Sequence, residues 1–155
     1  MLATVIAVLG TLLGAVVAGV FQQRTAHRAE RAATTEQLRR DRLNAVTELA
    51  AAASDHRRAM WMRETATLNN EPADRIEELR AASYVTRSAI TRPLVAVQVL
   101  LPEPAVSAAA KDMVSATYSM REHRQSSEAL DAARKSARTA HDRFVTAAAE
   151  YLTAP

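Results

Sequence analysis

The sequence predicts an all-α protein. An N-terminal transmembrane helix continues into a long helix, and two or three further helices follow in an antiparallel bundle or a coiled-coil-like arrangement. Three observations carry this prediction: residues 2–21 form an uncharged apolar run, residues 22–155 contain no glycine, and those same residues are rich in Ala, Arg and Glu. Because these residue types favour helices and glycine commonly interrupts them, long helices are expected.

The apolar run at residues 2–21 has the length of a transmembrane helix. Its 20 residues would extend about 30 Å as a helix, which is the thickness of the hydrocarbon core of a bilayer. A cleaved signal peptide is the alternative, with Val16-Val17-Ala18 as a weak cleavage site. Since no basic residue precedes the run, which is also longer than the apolar core of a usual signal peptide, we expect a retained anchor.

A basic juxtamembrane helix is expected at residues 22–42. This segment holds six Arg and three acidic residues, a net charge of +3, whereas residues 43–155 hold 14 basic and 14 acidic residues. Positively charged flanks stay in the cytoplasm. We therefore expect a single-pass protein of the inner (cell) membrane, with its N-terminus outside and a helical bundle domain, residues 43–152, in the cytoplasm. The absence of cysteine agrees with that location.

The first helix is expected to run without a break to Leu68, because neither glycine nor proline follows Phe21 before that point. Residues at steps of three and four mark one face of a helix. The apolar stripe on this face is Leu43, Val46, Ala50, Ala53 and Met60, with Leu49 and Trp61 beside it. The segment Asn69-Asn70-Glu71-Pro72 then ends the helix, and an Asn in it is expected to cap the second helix.

The second helix contains a proline within its apolar stripe. The inward residues are expected to be Ile76, Leu79, Ser83, Ile90 and Leu94. Pro93 lies among them and predicts a kink or a stop. The valines of residues 94–101 also suit a strand, but the sequence offers no second strand for pairing. We therefore expect a kinked helix that continues through this segment.

A turn at Pro102-Glu103-Pro104 precedes the third helix, whose inward residues are Val106, Ala110, Met113 and Met120. Residues 121–127 are either a loop or further helix, and Ser126 or Ser127 is expected to cap the fourth helix. The stripe of that helix is Leu130, Ala133, Ala137, Ala140, Phe144, Ala147 and Tyr151. Leu, Ile, Val and Phe are only 21 of the last 134 residues, so the core should be thin and self-association or a partner should stabilise it.

Small residues repeat along one face of the apolar segment. Gly10 and Gly14 form a GxxxG motif, and Ala18 continues the same face. Small residues at this spacing let two membrane helices approach closely, so that packing can drive their association. The motif predicts a helix-dimerisation contact; the alternative is a chance spacing, because Gly and Ala are common in membrane helices.

Five arginines after the apolar run lie near one helical face: Arg24, Arg28, Arg31, Arg39 and Arg42. Beside a membrane, such a stripe can contact anionic lipid headgroups. A topology signal on a solvated helix face is the favoured interpretation, and the lipid contact is the alternative. Nucleic-acid binding is not expected, because residues 43–155 have no net charge and no aromatic residues alternate with the arginines.

The sequence shows no catalytic, metal-binding or cofactor-binding pattern. The four histidines, His27, His56, His123 and His141, are not spaced three or four residues from one another, so surface positions are expected. We therefore expect no enzymatic activity and no cofactor. Trp61, flanked by Met60 and Met62, is expected in the core, with a partner-binding groove as the alternative.

In its Ala/Arg bias and its anchor-then-helices layout, the chain resembles uncharacterised small single-span, helical membrane proteins of actinobacteria, some of which occur on plasmids or phages. This resemblance implies no activity. The layout is also similar to that of the b subunit of ATP synthase. That subunit has a nearly unbroken helical stalk, whereas Pro72, Pro93, Pro102 and Pro104 interrupt this chain, so we reject the second resemblance.

These observations favour a membrane-anchored helical interaction or scaffold protein without catalytic activity, which forms a homo-oligomer or binds a protein partner. The alternative is a phage- or plasmid-encoded envelope accessory protein, either spanin-like or holin-like or associated with DNA transfer. A holin normally lacks so large a soluble body, and a spanin would need that body outside the cell.

Overall fold

The computed structural model describes the backbone of residues 2–123 and 125–154 and the side chains of residues 30–123 and 125–154. Its helices are α1 (Leu2–Leu68), α2 (Ala73–Leu100), α3 (Pro104–Ser119) and α4 (Ser127–Thr153), with a short 3-10 helix at Met120–His123. These described residues contain no strand. The prediction of an all-α fold is therefore confirmed.

The chain divides into two compact units, Met1–Arg40 and Asp41–Pro155. In the first unit, the Arg40 guanidinium donates a hydrogen bond to Glu36 at 3.0 Å, an exposed helical pair of the kind that contributes only a few tenths of a kcal/mol. Among the side chains that are described, no helix combines the length and the hydropathy of a membrane span. The predicted span at residues 2–21 lies outside them and stays a prediction.

Helix α1 ends where the backbone turns at Asn70. Asn70 has a positive φ of 52°, a conformation that Asn tolerates better than most residues. The N–H of Glu71 donates to the Ala66 carbonyl at 3.0 Å, and the N–H of Asn70 donates to the Thr67 carbonyl at 3.2 Å. This is a Schellman motif, which satisfies the last carbonyls of α1.

The prediction that an Asn caps the second helix is therefore wrong. Asn70 closes the first helix instead, and Pro72 precedes α2 without a side-chain capping bond. Helix α2 then continues through Pro93 to Leu100, so residues 94–100 are helical and the strand alternative is excluded. Pro93 is buried, which offsets part of the cost of the backbone hydrogen bond that a proline cannot donate.

The next two helices begin as the sequence predicts. Pro104 occupies the first turn of α3, where a proline removes no helical hydrogen bond. Ser126 precedes α4, and its hydroxyl accepts a hydrogen bond from the N–H of Ala129 at 3.1 Å. This bond satisfies one of the free N–H groups at the start of the helix.

The contacts of α1 show that α2 runs antiparallel to it in the second unit. The guanidinium of Arg42 donates to the carbonyl of Leu100, at the end of α2, at 3.0 Å. Further along α1, Arg63 donates to the hydroxyl of Ser83, in the first half of α2, at 3.4 Å.

Helix α4 also runs antiparallel to α1. The indole N–H of Trp61 donates to Asp131, near the start of α4, at 3.3 Å, whereas Arg42 lies over the ring of Tyr151 near the end of α4. Helix α3 packs against both α2 and α4. The second unit is therefore an antiparallel four-helix bundle that uses the C-terminal half of α1.

The core of the bundle consists of two apolar clusters built largely from small side chains. The larger cluster contains Ala45, Val46, Leu49, Ala53, Ile90, Val97, Leu101, Val106, Ala110, Met113, Val114, Phe144 and Ala148. The smaller contains Met60, Met120, Leu130, Ala133 and Ala137. Seven of the twenty buried apolar residues among those described are alanines, which lets the helix axes approach closely but buries little area per residue.

The inward face of α1 differs from the predicted one. Leu43 was expected inside, but 52% of its surface is exposed. Leu49, placed beside the stripe by its spacing, is fully buried, as is Ala53. The buried face therefore begins at Ala45 and Val46, and the residue of this region that contacts the ends of α2 and α4 is Arg42 rather than Leu43.

Substitution of Phe144 by Ala should unfold much of the bundle. Phe144 is fully buried, whereas 41% of the adjacent Val145 is exposed. Loss of a buried Phe costs about 3–5 kcal/mol, a large share of the stability of a small domain, whereas Val145→Ala should change the free energy of unfolding by less than about 1 kcal/mol. Urea unfolding followed by the fluorescence of Trp61, the single tryptophan, measures both variants. Equal losses would contradict the assignment of Phe144 to the core.

Candidate functional site

The outer face of α2 carries three valines that the bundle does not cover. Val85, Val95 and Val99 are 71%, 52% and 72% exposed. Valine has no propensity advantage at an exposed helical position, and exposed apolar residues that share a face commonly mark an interaction surface. We call Val85, Val95 and Val99 the valine face.

A shallow groove between α1 and α2 adjoins this face. Its floor is formed by small or ring-shaped apolar residues, namely Ala51, Ala52, Ala89 and Pro93, together with Val85. Its walls are charged: Glu48 and Asp55 line it from α1, and Arg92 lines it from α2. The groove therefore presents carboxylates on one side and a guanidinium on the other.

Most of the site residues predicted from the sequence lie outside the bundle. Gly10, Gly14 and Ala18, the predicted dimerisation contact, belong to residues whose side chains are not described, as do Arg24 and Arg28 of the basic stripe. Arg31 and Arg39 are exposed. The lipid contact predicted for this stripe stays a prediction.

Arg42, the last residue of the basic stripe, makes contacts inside the bundle. It is only partly exposed, its guanidinium donates to the Leu100 carbonyl at 3.0 Å, and the same group lies 5.5 Å from the ring centroid of Tyr151. Arg42 thus closes one end of the bundle by linking α1 to α2 and α4.

The methionines that flank Trp61 differ in burial. Met60 is buried in the smaller core cluster, while 39% of Met62 is exposed. Trp61 is partly buried against the same cluster, and the Arg134 guanidinium lies 4.4 Å from its ring centroid. The core position predicted for Met60 is therefore confirmed, and Trp61 lies at the edge of the core.

His56 is buried, although the sequence predicts a surface histidine. Only 2% of the residue is exposed, and its Nδ1 lies 2.9 Å from the hydroxyl of Thr86. The same hydroxyl also lies within hydrogen-bonding distance of the carbonyls of Ala82 and Ser83, and the tautomer of the imidazole decides whether His56 or Thr86 is the donor in their shared bond. His56 falls on the three- and four-residue steps that link Leu49 and Met60, and this spacing is the signal that could have revealed its burial.

The environment of His56 keeps its imidazole neutral. Burial, followed by the positive charges of Arg87 and Arg63, lowers the pKa of His56 to about 4. The ring meets Tyr118 of α3 edge-to-face at 5.3 Å, and Arg87 lies over the same Tyr118 ring at 4.5 Å. One imidazole therefore joins α1, α2 and α3.

A buried ion pair lies about two turns further along α1 than His56. The guanidinium of Arg63 is 3.5 Å from the Glu64 carboxylate, which is 1% exposed. At this separation the oxygen has an ionic partner but no hydrogen bond. Arg63 also donates to Ser83 at 3.4 Å, so the pair is tied to α2.

These polar groups surround a small enclosed cavity of about 20 Å³, which has room for about one water molecule. Its lining includes His56, Arg63, Ser83, Tyr84, Arg87, Tyr118 and Arg121. Three guanidiniums thus face one cavity, from α1, from α2 and from the 3-10 helix.

The cavity adjoins a larger groove of about 460 Å³ between α2 and α3. Arg87, Tyr118 and Arg121 line both spaces, and Lys111 lines the groove alone. We call this region the cationic groove. No spacing rule could have revealed it, because its cations are distant in the sequence and come together only when α2 packs against α3.

The bundle is similar in sequence to proteins of plasmid transfer. Residues 43–152 match a family described as KilB plasmid transfer protein. Protein KilB of Streptomyces lividans is 48% identical over 103 residues, which cover 66% of this chain and 67% of that protein. No solved structure matches the chain. The actinobacterial source of this relative agrees with the resemblance seen in the sequence.

The neutral state of His56 predicts that the bundle loses stability in mild acid. Because folding lowers the pKa of His56 from 6.5 to about 4, the unfolded chain binds the proton more readily between these values. The stabilisation is therefore present above pH 6.5 and is lost as the pH falls toward about 4. From pH 7 to pH 5, the wild type should lose about 2 kcal/mol more unfolding free energy than His56→Asn, which keeps an N–H donor but does not titrate.

Urea unfolding at both pH values, followed by Trp61 fluorescence, tests this difference. His123→Asn is the matched control, because His123 is exposed, and it should follow the wild type. If His56→Asn showed the same pH dependence as the wild type, the buried neutral imidazole would be contradicted.

Proposed function

We propose that this chain, which belongs to the KilB plasmid transfer protein family, is a membrane-anchored helical interaction module that serves plasmid transfer without catalysing a reaction. The family match covers α2, α3, α4 and the bundle half of α1. Membership in a plasmid transfer family favours the DNA-transfer alternative considered from the sequence over phage lysis.

The observation that carries the interaction role is the valine face. Three valines more than half exposed on one helix are costly to leave in water, and covering them would yield about 25 cal/mol per Å² of apolar surface. This contribution matters in a bundle whose own core is rich in alanine.

A second copy of the chain is the partner that the adjoining groove fits. In a two-fold symmetric pair, the same surface meets itself. Arg92 of one copy would then face Glu48 and Asp55 of the other. The alanines at 51, 52 and 89 have short side chains and permit close approach of the two surfaces.

The apolar segment at residues 2–21 would anchor this pair in the membrane, with the bundle in the cytoplasm as the positive charges of residues 22–42 predict. Gly10, Gly14 and Ala18 would provide a second contact within the bilayer. Two linked contacts strengthen each other, because the first raises the effective concentration of the second.

A non-catalytic role agrees with the state of His56. A general base works best with a pKa near the operating pH, whereas burial and two neighbouring arginines lower the pKa of His56 to about 4. Its Nδ1 is also committed to Thr86. The imidazole therefore serves packing rather than proton transfer.

The proposed pair predicts a charge-swap effect on self-association. Arg92→Glu alone should weaken association, as should the double variant Glu48→Arg, Asp55→Arg, because like charges then oppose each other. A mixture of the two variants should form heterodimers, since each supplies the charge that the other lacks. Co-purification of differently tagged full-length chains measures this outcome. Failure of the mixture to associate better than either variant alone would contradict the pairing.

The valine face can be tested with a matched pair of substitutions. Val99→Glu should reduce self-association at least about tenfold, because a carboxylate would be buried in an apolar contact. Val145→Glu introduces the same charge at an exposed valine of α4 and should have little effect. An equal reduction by both variants would indicate a general charge effect and contradict the proposed face.

The anchor predicts a defect in transfer when it is removed. In donor cells that lack their own copy of the gene, the full chain should restore plasmid transfer, whereas residues 22–155 alone should not. An unrelated membrane-spanning segment of the same orientation, fused to residues 22–155, should restore it, since the proposed role of the segment is localisation. Transfer frequency in matings is the measurement. Full restoration by residues 22–155 would overturn the anchor, and unchanged transfer without the gene would overturn the role in transfer.

A further inference from the structure

The cationic groove collects positive charge from separate parts of the fold. Arg87 comes from α2, Lys111 from α3 and Arg121 from the 3-10 helix, and Arg63 of α1 faces the adjoining cavity. The one carboxylate in the lining of the groove is that of Glu122. Within the described part of the chain, neither Arg87, Lys111 nor Arg121 forms an ion pair.

Two titratable side chains that line the cavity, Tyr84 and His56, have lowered pKa values. A hydrogen bond from Arg80 and the charge of that residue lower the pKa of the Tyr84 phenol, and the charges of Arg63 and Arg121 lower it further. The pKa of His56 is likewise lowered, first by burial and then by Arg87 and Arg63. The pKa values of both groups are therefore lowered by neighbouring guanidiniums.

Arg87 is held in position rather than free to move away. Its guanidinium carbon lies 4.5 Å from the centroid of the Tyr118 ring, and the centroid of that ring is 5.3 Å from the centroid of the buried His56 ring. A guanidinium over an aromatic ring can still donate from the N–H groups in its own plane to an oxyanion. Preorganisation of this kind reduces the entropy lost when a ligand binds.

We infer that the cationic groove binds a phosphate monoester, with the phosphoryl group on Arg87, Lys111 and Arg121. Arginine donates to phosphate in a planar fork, and lysine adds a point charge. Leu94 and Val114 line the same groove and provide an apolar surface for the organic part of the ligand. The cavity behind it is too small for a phosphate and holds at most a water molecule.

A monoester fits the charge pattern better than a long polyanion. Arg63, Arg87, Lys111 and Arg121 gather around one groove and its adjoining cavity, while residues 43–155 as a whole carry equal numbers of basic and acidic residues. A protein that tracks a nucleic-acid backbone needs an extended basic surface. The doubly charged terminal phosphate of a nucleotide, free or at the end of a strand, has the compact charge that this groove can neutralise.

Calorimetric titration of the full-length chain in a neutral detergent with adenosine 5′-monophosphate tests the site, with adenosine as the uncharged control. Saturable binding of the monophosphate and none of adenosine is expected. Lys111→Gln and Arg121→Gln should each weaken that binding about tenfold, because each removes one charge-assisted hydrogen bond. Both side chains are exposed, so these variants should stay folded, as far-ultraviolet circular dichroism can verify.

Arg143→Gln is the matched control, because Arg143 is also an exposed cation but belongs to α4 and lines neither the cationic groove nor the groove between α1 and α2. It should leave the affinity unchanged. No saturable binding of the monophosphate, or an equal loss in Arg143→Gln, would overturn the proposal.

A single-stranded oligodeoxynucleotide, with and without a 5′-phosphate, distinguishes the source of the phosphate. Tighter binding of the phosphorylated strand supports a terminal phosphate on nucleic acid, whereas binding of the free nucleotide alone supports a small metabolite. If both strands bound equally and Lys111→Gln abolished that binding, the proposal of a phosphate monoester would be overturned, and the groove would instead recognise phosphodiesters. Because no arm depends on transfer or self-association, these outcomes are independent of the proposed function.

Discussion

The hydrogen bond between His56 and Thr86 sets the register of α1 against α2, and the rest of the bundle depends on that register. Sliding α2 by one turn would replace Thr86 with Ala82 or Ala89 at the same height. The buried imidazole nitrogen would then lack its hydrogen-bond partner, at a cost of about 1–3 kcal/mol. The same slide would displace the buried Ile90 and Val97 from the core. The polar contact and the apolar contacts therefore specify the same register.

The same register determines the charge of the cationic groove. Thr86 faces His56, and the next residue, Arg87, lies over Tyr118 on the other side of α2. Arg63 reaches Ser83 one turn earlier. A protonated His56 would add a third positive charge beside Arg63 and Arg87. The two arginines can therefore lie close to this imidazole because it is neutral. Helix α2 thus separates two surfaces, the valine face with its α1–α2 groove and the cationic groove toward α3.

Local signals in the sequence predicted most of the fold. Helix-forming composition, the prolines at 102 and 104 and the serine at 126 each act within one turn of the chain, and the structure uses them as expected. The role of Asn70 was assigned to the wrong helix, because an Asn between two helices can end one or begin the other, and the backbone hydrogen bonds decide. Which side of α1 is covered depends on where α2 and α4 pack, and at this end of the bundle they contact Arg42 and leave Leu43 exposed, which no local pattern contains.

The candidate site was harder to predict for the same reason. The burial of His56 follows from helical spacing once Leu49 is placed inside, but its partner Thr86 lies 30 residues away. The cations of the groove come from elements that meet only in the packed bundle.

A nuclear Overhauser experiment on the isotopically labelled full-length chain tests this register most directly. The account predicts cross-peaks from the ring protons of His56 to the methyl group of Thr86 and to the ring of Tyr118. Cross-peaks from His56 to the methyl groups of Ala82 or Ala89 in their place, or none to α2, would contradict it.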